Sequence, residues 1–256
     1  MDPGVRSPLI DFFRRGEVTA DVRLQAAQGS FAPRAHEQLA LLLILADDPD
    51  PAIAGTAART LDALPAAALA RFLGRQDAPQ LMRDFFAARG IQPDMAAGAG
   101  EVDDLPLVQT GPEPSAGGDA TEADPRVLST LPVIDRMKLA MRGTREQRSQ
   151  LIRDSNRLVA VAVLSSPKLN ESEVEGFARM ANLSEDVLRI IAMNRTWLKN
   201  YNVVAALTRN PKTPTGLAMG FLQRLNEKDL KTLSMDRNVA EPVRLAARKF
   251  LVKGRH

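Results

Sequence analysis

The fold is decided by two consecutive stretches, LSSPKLNESEVEGFARMANLSEDVLRIIAMNRTWLKNYNVVAA (164–206) and LTRNPKTPTGLAMGFLQRLNEKDLKTLSMDRNVAEPVRLAARK (207–249). They align at a period of about 43 residues. The matching pairs are Leu164 and Leu207, Val174 and Leu217, Asp186 and Asp229, Val187 and Leu230, and Ile190 and Leu233. A period of this size with helical patterning is typical of an α-solenoid, in which each repeat buries its apolar face on its neighbours.

A third copy of the pattern lies in the N-terminal half. LADDPDP, which begins at Leu45, matches LTRNPKTP, which begins at Leu207, and the leucines of TLDALPAAALARFL (60–73) match those of FLQRLNEKDLKTL (221–233). The sequence therefore predicts one helical unit used at both ends of the chain, with an extra repeat in the second half.

Two apolar runs, Leu39–Leu45 and Leu158–Leu164, leave the choice between a buried strand and a buried helix open by periodicity alone. Helix formers before the first run, and the repeat mate of the second, favour helices. Helix starts are predicted at Ser7-Pro8 and at Thr144, where Gln147 completes a capping box. Asp50-Pro51, Asn170 and Thr213-Pro214 are predicted to be the same helix cap in three copies.

The stretch 92–127 separates the two halves. It is dense in Gly, Pro, Ala and acidic residues, with one short apolar island at Leu105–Val108. Because such a composition buries too little apolar surface to offset the entropy of ordering, it predicts a disordered linker. We expect three parts: an N-terminal helical domain (1–91), the linker (92–127) and a C-terminal helical domain (128–256).

Charge is distributed unevenly along the chain. Residues 101–130 carry seven acidic residues against one Arg, whereas residues 131–256 carry 23 Lys and Arg against 12 acidic residues. Every lysine lies at or beyond Lys138. The sequence therefore predicts a basic C-terminal domain next to an acidic linker, and it raises the hypothesis that residues 100–125 bind that domain as an internal ligand.

The residue inventory argues against catalysis, metals and cofactors. With no Cys, and with only His36 and His256 as histidines, the chain lacks the parts of a nucleophile–base pair. Asp47, Asp48 and Asp50 lack the spacing of a calcium loop, and no glycine-rich nucleotide-binding motif is present. We expect a protein that is not an enzyme and that holds no cofactor.

The N-terminal sequence and the apolar runs predict where in the cell the protein lies. The N-terminus, MDPGVRSPLIDFFRRGE, lacks the basic and then apolar order of a signal peptide, and the longest apolar run, Leu39–Ala46, is too short to span a bilayer. We therefore expect a cytoplasmic protein that does not bind membranes.

The pattern of small and apolar positions over most of residues 33–89 and 131–253 resembles the HEAT and armadillo families of helical repeats. That resemblance implies an all-α fold, a short α-α superhelix in two helical bodies joined by the linker. It also implies that the last helix of each repeat lines a concave face that takes a protein or nucleic-acid ligand. The chain departs from these families by having few repeats and a split in the middle.

The segment Asn194–Tyr201 contains the only Trp and the only Tyr, interleaved with Arg195 and Lys199. On one helix, Arg195 and Lys199 would share a face, as would Trp197 and Tyr201. Such a basic–aromatic ridge suits phosphates, bases or an acidic peptide. The alternative is that the two aromatic side chains wedge between repeats while the cations are solvated.

Further arginines extend this candidate surface; they are Arg157, Arg237, Arg244 and Arg248. We therefore predict an intracellular protein-binding or adaptor module that uses the basic surface, and the alternative is binding to the DNA backbone.

Overall fold

The computed structural model describes residues 5, 7–31, 34–95, 106–108 and 125–253. Every regular element in these residues is helical, which confirms the all-α prediction. The helices group into two compact units, Met1–Arg142 with Ser165–Pro167, and Gly143–Leu164 with Lys168–His256. This division differs from the predicted boundary at residue 128, because the two helices before Gly143 lie in the first unit.

The first unit contains eight helices among the described residues. They are α1 (Pro8–Arg14), α2 (Ala20–Ala27), α3 (Ala35–Leu45), α4 (Pro51–Asp62), α5 (Ala66–Leu73), α6 (Gln80–Ala87), α7 (Pro125–Thr130) and α8 (Val133–Arg142). Helix α3 packs against α1, α2 and α4, which explains why its apolar run is buried on all sides. The run Leu39–Leu45 is thus helical, as the sequence predicts.

The second unit also contains eight α-helices among the described residues. They are α9 (Arg145–Leu151), α10 (Arg157–Leu164), α11 (Glu171–Arg179), α12 (Glu185–Met193), α13 (Tyr201–Arg209), α14 (Thr215–Phe221), α15 (Glu227–Met235) and α16 (Glu241–Lys253). The predicted helix at Leu158–Leu164 is confirmed as part of α10. Apolar residues of α13 to α16 form a common core that includes Val204, Leu222, Leu233 and Val243.

The sequence period reappears as a series of three helices. Helices α10, α11 and α12 correspond in sequence to α13, α14 and α15, and α16 corresponds to α10 and α13. Helix α13 packs against α11, α12, α14 and α15, while α16 packs against α14 and α15. Each helix of the series therefore buries its apolar face mainly on neighbours close to it along the chain.

Most predicted helix caps are confirmed. Ser7 and Asp50 accept hydrogen bonds from backbone N–H groups at the starts of α1 and α4, and Thr144 and Asn170 form capping boxes. The cap predicted at Thr213 is wrong. Pro214 is the residue before α14, and the buried Thr213 hydroxyl oxygen has no hydrogen-bond partner in the part of the chain that the structure describes.

Parts of the predicted linker pack on the first unit. The Asp94 N–H donates to the Ala70 oxygen at 2.8 Å, and Val108 exchanges hydrogen bonds with Gln38. Residues 96–105 and 109–124 lie outside the described residues, so the predicted disorder and the predicted binding of residues 100–125 to the basic domain stay predictions there. The apolar island itself, as far as it is described, contacts the first unit.

Within the described ranges, no helix combines the length and the apolar character that crossing a membrane would require.

Candidate binding surface

A turn of one type lies before each of the helices α10, α13 and α16; at Asn194 and Asp236 it directly follows the preceding helix, and at Asp154 it begins three residues after α9 ends. In each copy, the side chain of an Asp or Asn accepts a hydrogen bond from the backbone N–H two residues later. The bonds run from Asn156 to Asp154 (2.8 Å), from Thr196 to Asn194 (3.0 Å) and from Asn238 to Asp236 (2.9 Å). Such Asx turns are a local alternative to helix continuation, and they fix the backbone at these three positions.

The residue after the turn-forming Asp or Asn is an arginine in two of the three copies. Arg195 and Arg237 hold this position before α13 and α16, whereas Ser155 holds it before α10. Both arginines are exposed, and neither forms an ion pair with a described residue. Consecutive repeats thus present a cation from the same place in the same turn.

The prediction of one helix over Asn194–Tyr201 is wrong. Helix α12 ends at Met193, a 3₁₀ turn covers Trp197–Lys199, and α13 begins at Tyr201. The side chains of Asn194 and Asn200 accept hydrogen bonds from nearby backbone N–H groups, which ends one helix and caps the next. Arg195 and Lys199 are both exposed, but they do not share a helix face.

The two aromatic side chains of this segment have different environments. Trp197 is half-buried, and its neighbour Leu198 packs against the core of α13 to α16. The Tyr201 hydroxyl donates to the Asp229 carboxylate and accepts the Asn226 N–H at 3.1 Å. Tyr201 therefore joins α13 to the start of α15, although its side chain stays partly exposed.

The electrostatics at Tyr201 follow from that contact. Burial raises the pKa of the phenol above its ordinary value of 10.0, and the hydrogen bond to Asp229 raises it further. Asp229 also forms an ion pair with Arg209, two turns along α13 from Tyr201. The phenol thus stays neutral near pH 7 and serves as a hydrogen-bond donor.

A cleft of about 340 Å³ lies beside this group. Its lining includes Tyr201 and Arg209 of α13 with Asp229 of α15, and Ala205 and Ala206 leave room between them. Arg179, at the end of α11, also lines the cleft, and its charge is shared with Glu175. The cleft combines two arginines, each of them ion-paired, with one acid.

The other predicted arginines, Arg157, Arg244 and Arg248, have different contacts. Arg157 Nε pairs with Asp186 Oδ2 at 2.7 Å, which partly neutralises its charge. Arg248 Nε donates to the Ser234 oxygen at 3.2 Å, and the half-buried Arg244 has an Nε with no hydrogen-bond partner among the described residues. Of the predicted cations, Arg157 is ion-paired, whereas Arg195, Lys199, Arg237 and Arg248 are exposed and form no ion pair with a described residue.

The acidic loop before α4 has a structural explanation. Asp48 accepts two hydrogen bonds from Arg23 at 2.7 and 2.8 Å, and Asp50 caps α4 through the Ala52 N–H. The part of the chain that the structure describes contains no group of three or more His, Asp or Glu side chains placed to hold a metal. His36 lies on α3.

The sequence did not predict two polar contacts, Tyr201 with Asp229 and Gln38 with Val108. The alignment of Asp186 with Asp229 was a signal that this position carries an interaction in both repeats, although it did not reveal Tyr201 as a partner. No sequence signal links Gln38 to Val108, which lies 70 positions away.

Comparisons of the chain with protein-family models, with curated proteins and with solved structures found no match.

Proposed function

We propose that the second unit is a short solenoid of the HEAT and armadillo type, and that it acts as a non-enzymatic adaptor that binds an acidic segment of a protein partner. The observation that carries the proposal is the recurrence of an exposed arginine, Arg195 and then Arg237, after the same Asx turn in consecutive repeats. A periodic array of cations suits an extended ligand with periodic negative charge.

The charge balance of the unit supports this proposal. Several of its acidic residues are engaged by arginines: Glu173 by Arg148, Glu175 by Arg179, Glu185 by Arg189, Asp186 by Arg157 and Asp229 by Arg209. The exposed cations before α13 and α16 keep their charge, so they set a positive potential that attracts acidic partners.

The distance between Arg195 and Arg237 determines how far apart the acidic residues of the ligand should be. If successive repeats stack at the usual distance between packed helices, equivalent arginines lie about 10 Å apart. A peptide in the polyproline II conformation advances about 3.1 Å per residue with three residues per turn, so acidic side chains three positions apart share one face and would meet Arg195 and Arg237 in turn. The expected partner segment therefore carries an acidic residue at every third position.

The test uses the full chain and a labelled extended peptide with Glu at every third position. Trp197, the only tryptophan, lies two residues from Arg195 and provides an intrinsic fluorescence signal. We expect Arg195→Glu and Arg237→Glu each to weaken binding about tenfold, because each replaces an attraction by a repulsion. Arg71→Glu makes the same charge change on α5 of the first unit and should leave binding unchanged. Equal losses in all three variants would contradict the proposal.

A second candidate, binding to the DNA backbone, rests on the same two arginines. Phosphate binding releases counterions, so the affinity would fall steeply with salt, with a log–log slope set by the number of contacts. The measurement is retention of the full chain on DNA and on heparin at about 50 mM salt. Absence of retention there would eliminate this candidate, while a slope reduced by Arg195→Glu would favour it over the acidic peptide.

A further inference from the structure

The Gln38 side chain pairs with the backbone of Val108 as one peptide group pairs with another in a sheet. Gln38 Oε1 accepts the Val108 N–H at 3.0 Å, and Gln38 Nε2 donates to the Val108 oxygen at 3.0 Å. The Nε2 also donates to the Gly29 oxygen at 2.8 Å. This network fixes the orientation of the amide, because the reversed amide would place its oxygen against two carbonyl oxygens.

Gly29 forms the floor beneath Val108. Its φ is +84°, a conformation that side chains disfavour, and a Cβ at this position would lie 3.0 Å from the Val108 Cβ and 3.1 Å from its Cγ1. The absence of a side chain at Gly29 therefore gives Val108 the space to reach Gln38. Gln38 is 1% exposed, so its amide is held rigidly by α3.

Gln38 bonds only backbone atoms of Val108, so these two hydrogen bonds do not depend on the side chain of the bound residue. Leu107 and Val108 also line a cleft of about 480 Å³ together with Thr56, Arg59 and Leu64. We propose that Gln38 and Gly29 of the first unit, with the adjoining cleft, form a recognition site for a peptide that carries an apolar Leu-Val pair in the bent conformation of residues 107–108. In the chain itself, Leu107 and Val108 occupy the site as an internal ligand and block it until a protein partner supplies the same kind of segment.

The chemistry of the groove defines that partner segment. The Gln38 amide pairs with both the N–H and the oxygen of one residue, Gly29 leaves space for the side chain of that residue, and Leu64 lines the cleft beside it. Arg59 on α4 adds a positive charge, and in sequence the internal ligand carries Asp103 and Asp104 ahead of its apolar pair. The partner segment therefore combines acidic residues with a following Leu-Val pair.

Tethering determines how strongly the internal segment competes. Asp94 is fixed on Ala70, so about a dozen residues connect a point on the first unit to Val108. A short linker between a ligand and its site gives an effective concentration on the order of 1 mM. A free peptide that binds the empty groove with a Kd of about 0.1 mM would then bind the intact chain about tenfold more weakly.

The test measures binding of a labelled peptide with the sequence of residues 103–110, DDLPLVQT, to two forms of the full chain. One form is the unmodified chain and the other carries Leu107→Ser/Val108→Asp, which removes the apolar side chains of the internal ligand and keeps Gln38 and Gly29. We expect the substituted chain to bind the peptide at least tenfold more tightly. Gln38→Glu in the substituted chain loses the donor to the bound backbone and should abolish this gain.

Controls separate recognition from unfolding. Gln92→Glu makes the same chemical change at an exposed position and should keep the gain, and circular dichroism melting checks that each variant folds. Equal affinity of the two forms for the peptide, or a gain that survives Gln38→Glu in a folded chain, would overturn the proposal. Dimerisation of the unmodified chain that Val108→Asp abolishes would assign the groove to a second copy and also overturn it.

This inference concerns the first unit and is independent of the proposed function of the second. Peptide binding that depends on Gln38 and not on Arg195 would support the groove alone. Binding of a Glu-repeat peptide that depends on Arg195 and not on Gln38 would support the basic surface alone.

Discussion

The two consecutive repeats, α10–α12 and α13–α15, use different chemistry at equivalent positions. In the first repeat, Arg157 at the start of α10 pairs with Asp186. In the second, Tyr201 at the start of α13 donates to Asp229, which also pairs with Arg209. The acidic position in the first turn of the third helix is thus kept, where it also favours the helix dipole, while its partner changes. The two copies thus keep the position of the contact between the first and third helices, but they form it with different side chains.

The second helices of the two repeats differ more strongly. Helix α11 begins with a capping box, and its Glu173 forms two hydrogen bonds with the buried Arg148 at 2.9 and 3.0 Å. Helix α14 begins after Pro214 without a side-chain cap, and Gly216 stands at the position of Glu173. The first repeat therefore depends on a buried charge pair that the second lacks.

The largest expected effect comes from breaking that pair. Arg148→Met leaves Glu173, which is 4% exposed, as an unpaired buried charge, so we expect a loss of about 3 to 5 kcal/mol in the free energy of unfolding. The measurement is urea unfolding followed by Trp197 fluorescence. Arg179→Met, which breaks the exposed pair with Glu175, should cost less than about 0.5 kcal/mol.

A double substitution tests the cause. Arg148→Met/Glu173→Leu removes both charges and should recover most of the lost stability, because a buried pair can be replaced by apolar groups at little cost. A double variant as unstable as Arg148→Met would show that Arg148 acts mainly through its other bonds, to Gly143 and Lys168.

An intermediate effect is expected at Asn210, after α13. Its Nδ2 donates to the carbonyl oxygens of Ala178 and Met180 at 2.8 and 2.9 Å, and these lie at the end of α11. Asn210→Ala leaves them without this donor, so we expect a loss of about 2 kcal/mol in the free energy of unfolding. Asn182→Ala, at an exposed position, is the matched control and should change stability by less than about 0.5 kcal/mol. Equal losses would be evidence against the bonds as the cause.

The smallest effect concerns the pH dependence of the second repeat. Tyr201 is the only tyrosine, so ultraviolet absorbance follows its ionisation directly. The pKa should lie above 10.0 because burial and the bond to Asp229 favour the neutral phenol. The stability that comes from this raised pKa is complete below the unfolded value and is lost as the pH rises through the folded value.

Substitution of the two equivalent acids, Asp186 and Asp229, tests which of them affects the pKa of Tyr201. Asp229→Asn removes the charged acceptor and should lower the pKa of Tyr201, although burial keeps part of the shift. Asp186→Asn affects the equivalent acid in the first repeat and should leave the pKa of Tyr201 unchanged. A pKa that is the same in both variants would mean that Asp229 contributes nothing to it.

Much of the fold could be predicted from the sequence because the signals are local. The period of about 43 residues, the apolar runs that became α3 and α10, and the caps at Asp50, Thr144 and Asn170 all depend on residues within a few positions of one another. The cap at Thr213 failed because α14 begins at Thr215, so Pro214, which has no side-chain acceptor, is the residue before the helix.

The candidate surface was predictable only in part. Exposed cations at Arg195, Lys199 and Arg237 follow from the sequence, but the shared helix face does not, because Asn194 and Asn200 interrupt the helix with side-chain bonds to the backbone. The recurrence of Arg195 and Arg237 in one turn geometry became visible only once the three turns were placed.

Local sequence patterns predict a series of short helices in a repeated order and a basic second half. The tertiary structure decided which distant side chains meet: Tyr201 with Asp229, Arg148 with Glu173, and Gln38 with Val108. Helix and cap preferences are properties of neighbouring residues. Partnerships across 25 to 70 positions arise only when packed helices bring side chains into hydrogen-bonding range, and one sequence carries no local record of that packing.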